Sequence, residues 1–344
     1  MRNLRLPVNS SLYLYHMPKF LIVRFSSIGD IVLTSPVIRC LKMQVPEAEV
    51  HFVTKSAFQP VVENNPYLSK IFYLDNNEKE LLTALKKEKY DAVIDLHNNL
   101  RSAYFSLSLG IPSYRFRKLN AEKWLLVNFK IDLLPVIHIV DRYMETVRDF
   151  GVVNDGKGLD YFAGAGDAPV LPEGFSNGYI ALAIGALHAT KAIPVPKITE
   201  IIRGAGRPVV LLGGKDDIAK GEEIVSQCTN YTVYNGAGNF SLNESALIVR
   251  NSDLMITGDT GLMHIAAAYE KKIISVWGNT VPEFGMYPYV PDSSHSFAAE
   301  VKGLSCRPCS KLGYEKCPLG HFKCMLDIST DEIVKKVSEW YAGK

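Results

Sequence analysis

Residues 20–25, Phe-Leu-Ile-Val-Arg-Phe, form a nearly unbroken apolar run. Such a run predicts a parallel strand buried on both faces. A helical period follows over 28–43, with Val37, Cys40 and Leu41 on one side. Strand patterns recur at 50–54, 71–74 and 91–96, with an amphipathic helix predicted over 78–87. Strands alternating with helices are the signature of a parallel sheet covered on both faces. The period fades between about 151 and 178, where glycine and proline recur. It then restarts, with strands predicted at 179–184, 208–212, 231–234, 253–257 and 272–277 and helices at 216–227, 242–250 and 260–269. The pattern predicts an α/β chain with two facing, doubly wound, Rossmann-like domains at 18–155 and 176–328. A linker over 156–175 joins them, and a final helix occupies 329–344. The carboxyl ends of the strands then line a cleft between the domains.

Composition adds exclusions. With 344 residues, 47% of them hydrophobic, the chain holds enough apolar material for two cores. A net charge of +2, from 38 Lys+Arg against 36 Asp+Glu, argues against a broad nucleic-acid surface and leaves room for a local basic pocket. No apolar run reaches the roughly 20 residues of a membrane helix. The stretch 1–16 has no convincing apolar core of a signal peptide and is expected to lie outside the fold. Cytoplasmic thiols are therefore the expectation for the six cysteines, with Cys40 and Cys228 as small core residues.

Two strand–Gly-Asp–helix turns carry the candidate chemistry. In Ser26-Ser27-Ile28-Gly29-Asp30, Gly29 permits a tight turn and Asp30 falls at a helix N-terminus. Helix capping explains that aspartate as well as catalysis does. In Thr257-Gly258-Asp259-Thr260-Gly261, two glycines open backbone N–H groups at a helix start, which suits a phosphate. His264 follows one turn on, as a ligand contact or a core histidine. Neither turn matches a Walker loop or a dinucleotide fingerprint. Thr190 and Lys191 supply a donor and a cation after the strand 179–184, or else belong to a solvated loop. Asp217, after Gly213-Gly214, reads as a ribose ligand or a helix cap.

Taken together, the segments 22–36 and 258–268 resemble glycosyltransferase family 9, the ADP-heptose:lipopolysaccharide heptosyltransferases, and the resemblance runs from about 19 to 328. It implies a GT-B fold and inverting transfer from a nucleotide-sugar, most simply heptose from ADP-heptose, onto a lipopolysaccharide core or related lipid-linked glycan. Asp30 matches the family's general base, and Lys191 its phosphate-binding lysine. Asp259, Thr260 and Gly261 match its donor-diphosphate loop, with Thr190, Asp217 and His264 beside the donor. Ser27, Gly29, Arg101, Arg115 and Arg117, with Lys118, are the candidates for the acceptor. The resemblance further implies a monomer touching the inner membrane peripherally, through a stretch such as 124–129, with no nucleic-acid partner and no cofactor needed for chemistry. One departure stands out: Ile193-Pro194 follows Lys191 where the family often has an aromatic.

Cys306, Cys309, Cys317 and Cys324 fall within 19 residues, and four thiolates at this spacing allow a structural zinc site, with a buried thiol cluster as the other reading. Two functional alternatives remain beside the glycosyltransferase: a noncatalytic nucleotide-sugar or glycan-binding relative, and a transferase of the same fold with another donor sugar. A nicotinamide oxidoreductase is disfavoured by the missing fingerprint.

Overall fold

The computed structural model describes residues 17–166 and 169–343, so the expected extension over 1–16 lies outside the described residues. Two parallel sheets form. The first contains β1 (Lys19–Val23), β2 (Glu49–Thr54), β3 (Lys70–Tyr73), β4 (Ala92–Asp95) and β5 (Ser113–Arg115), in the order β3-β2-β1-β4-β5. The second contains β6 (Ile180–Ala183), β7 (Val209–Leu212), β8 (Val233–Asn235), β9 (Leu254–Gly258), β10 (Lys272–Trp277) and β11 (Ser296–Glu300), in the order β11-β10-β9-β6-β7-β8. Every strand pairing is parallel. In each sheet the winding reverses beside the first strand, between β1 and β4 and between β6 and β9. Loops splay apart at such a point, and ligands bind in the crevice they leave.

The helix predicted over 28–43 is two helices, Ile28–Val32 and Ser35–Gln44. The second starts with Pro36 in its first turn, where a missing N–H costs nothing, and the ring cannot continue the helix before it. The segment between the sheets is packed rather than loose. Leu159, Tyr161 and Phe175 are buried in one apolar cluster with Phe20 and Ile31 of the first domain and Met263, Ile265 and Trp277 of the second. Arg39, 4% exposed, grips the same segment through Asp155 at 2.9 and 2.8 Å, through Asp160, and through the carbonyl of Gly158. A buried cation matched by two carboxylates fixes geometry because removing either side strands a charge. The domains are thus held together by a shared core. The last helix, Thr330–Ala342, packs on the second domain, with Val334 filling the space beside Gly204. Among the described residues no helix is long and apolar enough to cross a membrane.

Candidate active site

The two Gly-Asp turns meet. The first follows β1 and opens the helix Ile28–Val32; the second follows β9 and opens the helix Gly261–Ala268. Both lie at the switch points of their sheets. A Cβ added to Gly29 would sit 2.5 Å from Cδ2 of His264, and one added to Gly261 would sit 2.7 Å from Cγ2 of Ile28. Only glycine leaves the room for this approach. The glycines therefore serve close packing between the domains, beyond the turn geometry read from sequence.

On the first side, Asp30 is held by three groups. Its Oδ1 pairs with Nη2 of Arg24 at 2.6 Å, and its Oδ2 accepts from Oγ and N of Ser27 at 2.8 and 3.2 Å. Burial alone would raise its pKa, but the Arg24 charge and the Ser27 hydrogen bonds outweigh that and hold the carboxyl below its ordinary range. Asp30 is therefore ionised at neutral pH, and its side chain keeps 20% exposure, open to a ligand. Arg24 is the charged residue inside the apolar run 20–25, directly after β1. It is itself fixed by the carbonyls of Leu96 and Ser26 and the hydroxyl of Tyr143. The cap and the candidate base are one residue: the bond to Ser27 is the capping contact, and it also orients the carboxylate.

On the second side, Lys191 Nζ pairs with Oδ2 of Asp259 at 2.6 Å, and Thr280 donates to the same oxygen at 3.1 Å. The pair removes the repulsion that a bare Asp259 would impose on a diphosphate. It also parks the lysine beside the first amides of the helix Gly261–Ala268, where an anion is favoured. Thr260 is held by Thr257, hydroxyl to hydroxyl, at 2.9 Å. Gly258 is packed so closely on the carbonyl of Lys191 that a Cβ would clash with that backbone oxygen. Lys220, which the sequence did not single out, donates to the carbonyls of Ile184 and Ile193 at 2.7 and 2.8 Å and so ties both ends of the Lys191 loop. Asp217 accepts from the N–H of Gly214 at 2.9 Å, as a cap does, and its carboxylate turns toward Gly185 at the end of β6.

Some expected residues are engaged elsewhere. The hydroxyl of Thr190 is 2.8 Å from the N–H of Tyr314 and 3.1 Å from its carbonyl, so it anchors the cysteine-rich loop. Arg101 pairs with Glu78 at 3.0 Å, Arg117 with Glu122 at 3.0 Å, and Arg115 lies 3.5 Å from the buried carboxylate of Asp95. These arginines are neutralised locally, and sequence gave no sign of their partners. The zinc expectation is corrected: among the described residues, no group of three or more His, Cys, Asp or Glu is placed to hold a metal. Cys324 is buried in the second domain's core, whereas Cys306, Cys309 and Cys317 stay partly exposed in an irregular loop, and all six cysteines are free thiols.

His264 lies between the two turns, 2% exposed, with Nδ1 unpartnered. Burial pushes its pKa down from 6.5 to about 4, against the pull of Asp259 and Asp30. The sign follows from linkage. The unfolded chain binds the proton more tightly, so neutral His264 contributes stability above pH 6.5 that is lost as pH falls toward about 4. Between pH 7.5 and 5 this one group should cost about 2 kcal/mol of unfolding free energy. Urea titrations at both pH values, on wild type and His264→Gln, measure it; an equal pH dependence in the two proteins removes the assignment.

The comparisons with known proteins agree with this geometry. The sequence model of "Glycosyltransferase family 9 (heptosyltransferase)" matches residues 79–313. The lipooligosaccharide heptosyltransferase 2 of Haemophilus influenzae is 25% identical across 94% of this chain and 99% of its own length. The lipopolysaccharide heptosyltransferase 2 of Salmonella typhimurium is 21% identical across 93% of this chain and 97% of its own. Among solved structures, a family 9 glycosyl transferase from Veillonella parvula superposes with a TM-score of 0.71 at 20% identity, covering 95% of this chain and 98% of that one. The ADP-heptose lps heptosyltransferase II of E. coli superposes at 0.66 and 21% identity, over 94% and 98%. These superpositions establish the two-domain GT-B fold.

Proposed function

This chain belongs to glycosyltransferase family 9, and from that premise we propose that it moves heptose from ADP-heptose onto a lipopolysaccharide core or a related lipid-linked glycan, with inversion at the anomeric carbon. The observation that carries the proposal is the meeting of the Asp30 turn with the Lys191–Asp259 turn, each at the switch point of its sheet. Ionised Asp30 takes the proton from an acceptor hydroxyl as that oxygen bonds to C1 of the donor sugar. The bond from C1 to the diphosphate oxygen breaks in the same step, and ADP leaves with the electron pair. Lys191 and the amides at the start of the helix Gly261–Ala268 stabilise the growing negative charge. Inversion follows from a single displacement. No cofactor enters the scheme.

The direct experiment incubates the full chain with ADP-heptose and a heptose-deficient lipopolysaccharide and follows the acceptor by mass spectrometry. A product one heptose heavier, with ADP released, is expected. Transfer from a different nucleotide-sugar alone would reassign the donor and keep the mechanism. Nucleotide-sugars that leave the melting temperature unmoved would remove the donor-site reading, because a ligand of the native state must stabilise it.

A lipid-linked acceptor also calls for contact with a bilayer surface. Trp124 and Phe129 pack edge to face with ring centroids 5.3 Å apart and are 54% and 60% exposed, and Leu133 and Val136 follow at 60% and 100%. An exposed aromatic and aliphatic edge of this kind suits the interface of a membrane. Co-sedimentation with anionic vesicles should fall in Trp124→Ala; binding unchanged by that substitution removes the contact.

A further inference from the structure

The turn after β4 lies at the switch point of the first sheet, beside the turn that carries Asp30. It is anchored from below. Asp95, the last residue of β4, is fully buried. Its Oδ1 accepts from the N–H groups of His97 and Asn98 at 3.1 and 2.7 Å, and its Oδ2 accepts from the hydroxyl of Ser102 at 2.8 Å. A buried carboxylate with its oxygens so bonded fixes the backbone around it. Asn98, at a φ of +47°, turns the chain, and its side chain donates to the carbonyl of Phe116 at 2.9 Å.

His97 stands between these anchors. Its ring packs on Phe25, with centroids 4.9 Å apart. Nδ1 is buried without a hydrogen-bond partner. Among the described residues nothing bonds to Nε2 either, and the residue is only partly buried, so Nε2 is the open end of the ring. A polar ring held against an apolar wall with neither nitrogen bonded is unfavourable until a partner arrives.

Bonds, traced one by one, place this ring beside Asp30. Arg24 Nη1 donates to the carbonyl of Leu96, the residue before His97, at 2.5 Å, while its Nη2 pairs with Oδ1 of Asp30 at 2.6 Å. Phe25, the wall behind the ring, follows Arg24 in the chain. One guanidinium therefore ties the His97 turn to the base. Burial, with Arg24 nearby, lowers the pKa of His97 to about 4, so the ring is neutral at pH 7. A neutral imidazole bonds a hydroxyl as donor or acceptor and adds no charge.

A sugar acceptor offers several hydroxyls, and one base cannot choose among them. Resting on the transferase reading, we infer that His97 binds the acceptor sugar, its Nε2 bonding a hydroxyl other than the one Asp30 deprotonates, and that this second contact fixes which oxygen attacks. Two contacts from one rigid frame hold the sugar in a single orientation, which is what makes a displacement efficient and selective.

The test compares wild type with His97→Phe and His97→Gln. Phenylalanine keeps the packing on Phe25 and removes both nitrogens; glutamine loses the ring and keeps a hydrogen-bonding end. With ADP-heptose saturating and a heptose-deficient core saccharide varied, kcat/KM for the acceptor should fall about 10–100-fold in His97→Phe and recover in part in His97→Gln. ADP affinity should stay within about twofold in both, which also reports the fold, and the linkage of the His97→Phe product should become mixed. An acceptor kcat/KM in His97→Phe within about twofold of wild type, or equal losses in the two variants, overturns the inference and leaves the transferase reading standing. Isothermal titration of the same saccharide into the ADP-saturated chain needs no turnover. Binding weakened about tenfold in His97→Phe, in a chain that transfers nothing from ADP-heptose, contradicts the donor reading and supports His97; binding equal in the variant and wild type overturns it.

Discussion

Asp30→Asn is expected to lower kcat for transfer by about 10²–10⁴-fold, the range that a positioned general base supplies, with ADP affinity within about twofold of wild type. Asparagine is the informative replacement. It keeps the size of the side chain and can still bond to Ser27, but it cannot take a proton. It also leaves Arg24 without its carboxylate, and that guanidinium is 8% exposed. Arg24 keeps the carbonyls of Leu96 and Ser26 and the hydroxyl of Tyr143, so the fold should survive at a cost no greater than the roughly 3–5 kcal/mol of breaking a buried ion pair. Circular dichroism and a urea melt separate that cost from the loss of rate. The acid limb of activity should not belong to Asp30, whose pKa is held below the carboxylate range. Loss of activity between pH 6 and 5 should instead follow the unfolding driven by His264, His97 and His138, whose pKa values burial lowers to about 4, 4 and 3. A single-turnover rate near that of wild type in Asp30→Asn removes the base assignment.

The second large effect is expected at Lys191. Lys191→Ala removes a cation from the leaving group and strands Asp259, which is 12% exposed, beside the place of the donor diphosphate. Both changes disfavour the transition state, and the second also disfavours the bound donor. A loss of about 10²–10³ in kcat/KM is expected, with weaker ADP binding. Asp259→Asn alone should be milder, because Thr280 can still bond the amide and Lys191 stays. In the double variant Lys191→Ala/Asp259→Asn, removing the stranded charge should restore part of the ADP affinity but little of kcat. Isothermal titration with ADP, alongside steady-state transfer, reads the two separately. ADP affinity lower in the double variant than in Lys191→Ala would show that Asp259 acts on the nucleotide through something other than its charge.

Much of this site is visible in the chain before it folds. The runs at 20–25 and 253–257 are apolar enough to read as buried parallel strands, and a Gly-Asp pair in the turn after each marks the ligand end of a sheet. Arg24 was visible too, as a charge in the middle of a buried run, where a partner is needed. Asp30 is that partner, and the spacing alone does not say so. What stayed hidden depends on contacts between distant segments. The packing of His264 on Gly29 joins positions far apart in sequence. The burial of Leu159, Tyr161 and Phe175 in a segment rich in glycine and proline comes from a core shared by both domains, which local periodicity does not register. The engagement of Thr190 with Tyr314 was not readable from sequence, and Lys220, an ordinary helix lysine by pattern, proved to close the donor loop. The break at Leu33-Thr34 is legible in Pro36, whose ring cannot continue the helix before it. The strand β11 was missed because Ser296–Glu300 alternates weakly and pairs on one side only.

The central claim is that Asp30 and the Lys191–Asp259 turn, one from each domain, act on a single transition state. The most direct test is a double-mutant cycle on single-turnover transfer, with wild type, Asp30→Asn, Lys191→Ala and the double variant. Groups that act as a unit lose less together than the product of their separate losses. The account predicts a double variant close to the slower single variant. Losses that multiply in full, as for independent sites, would contradict it.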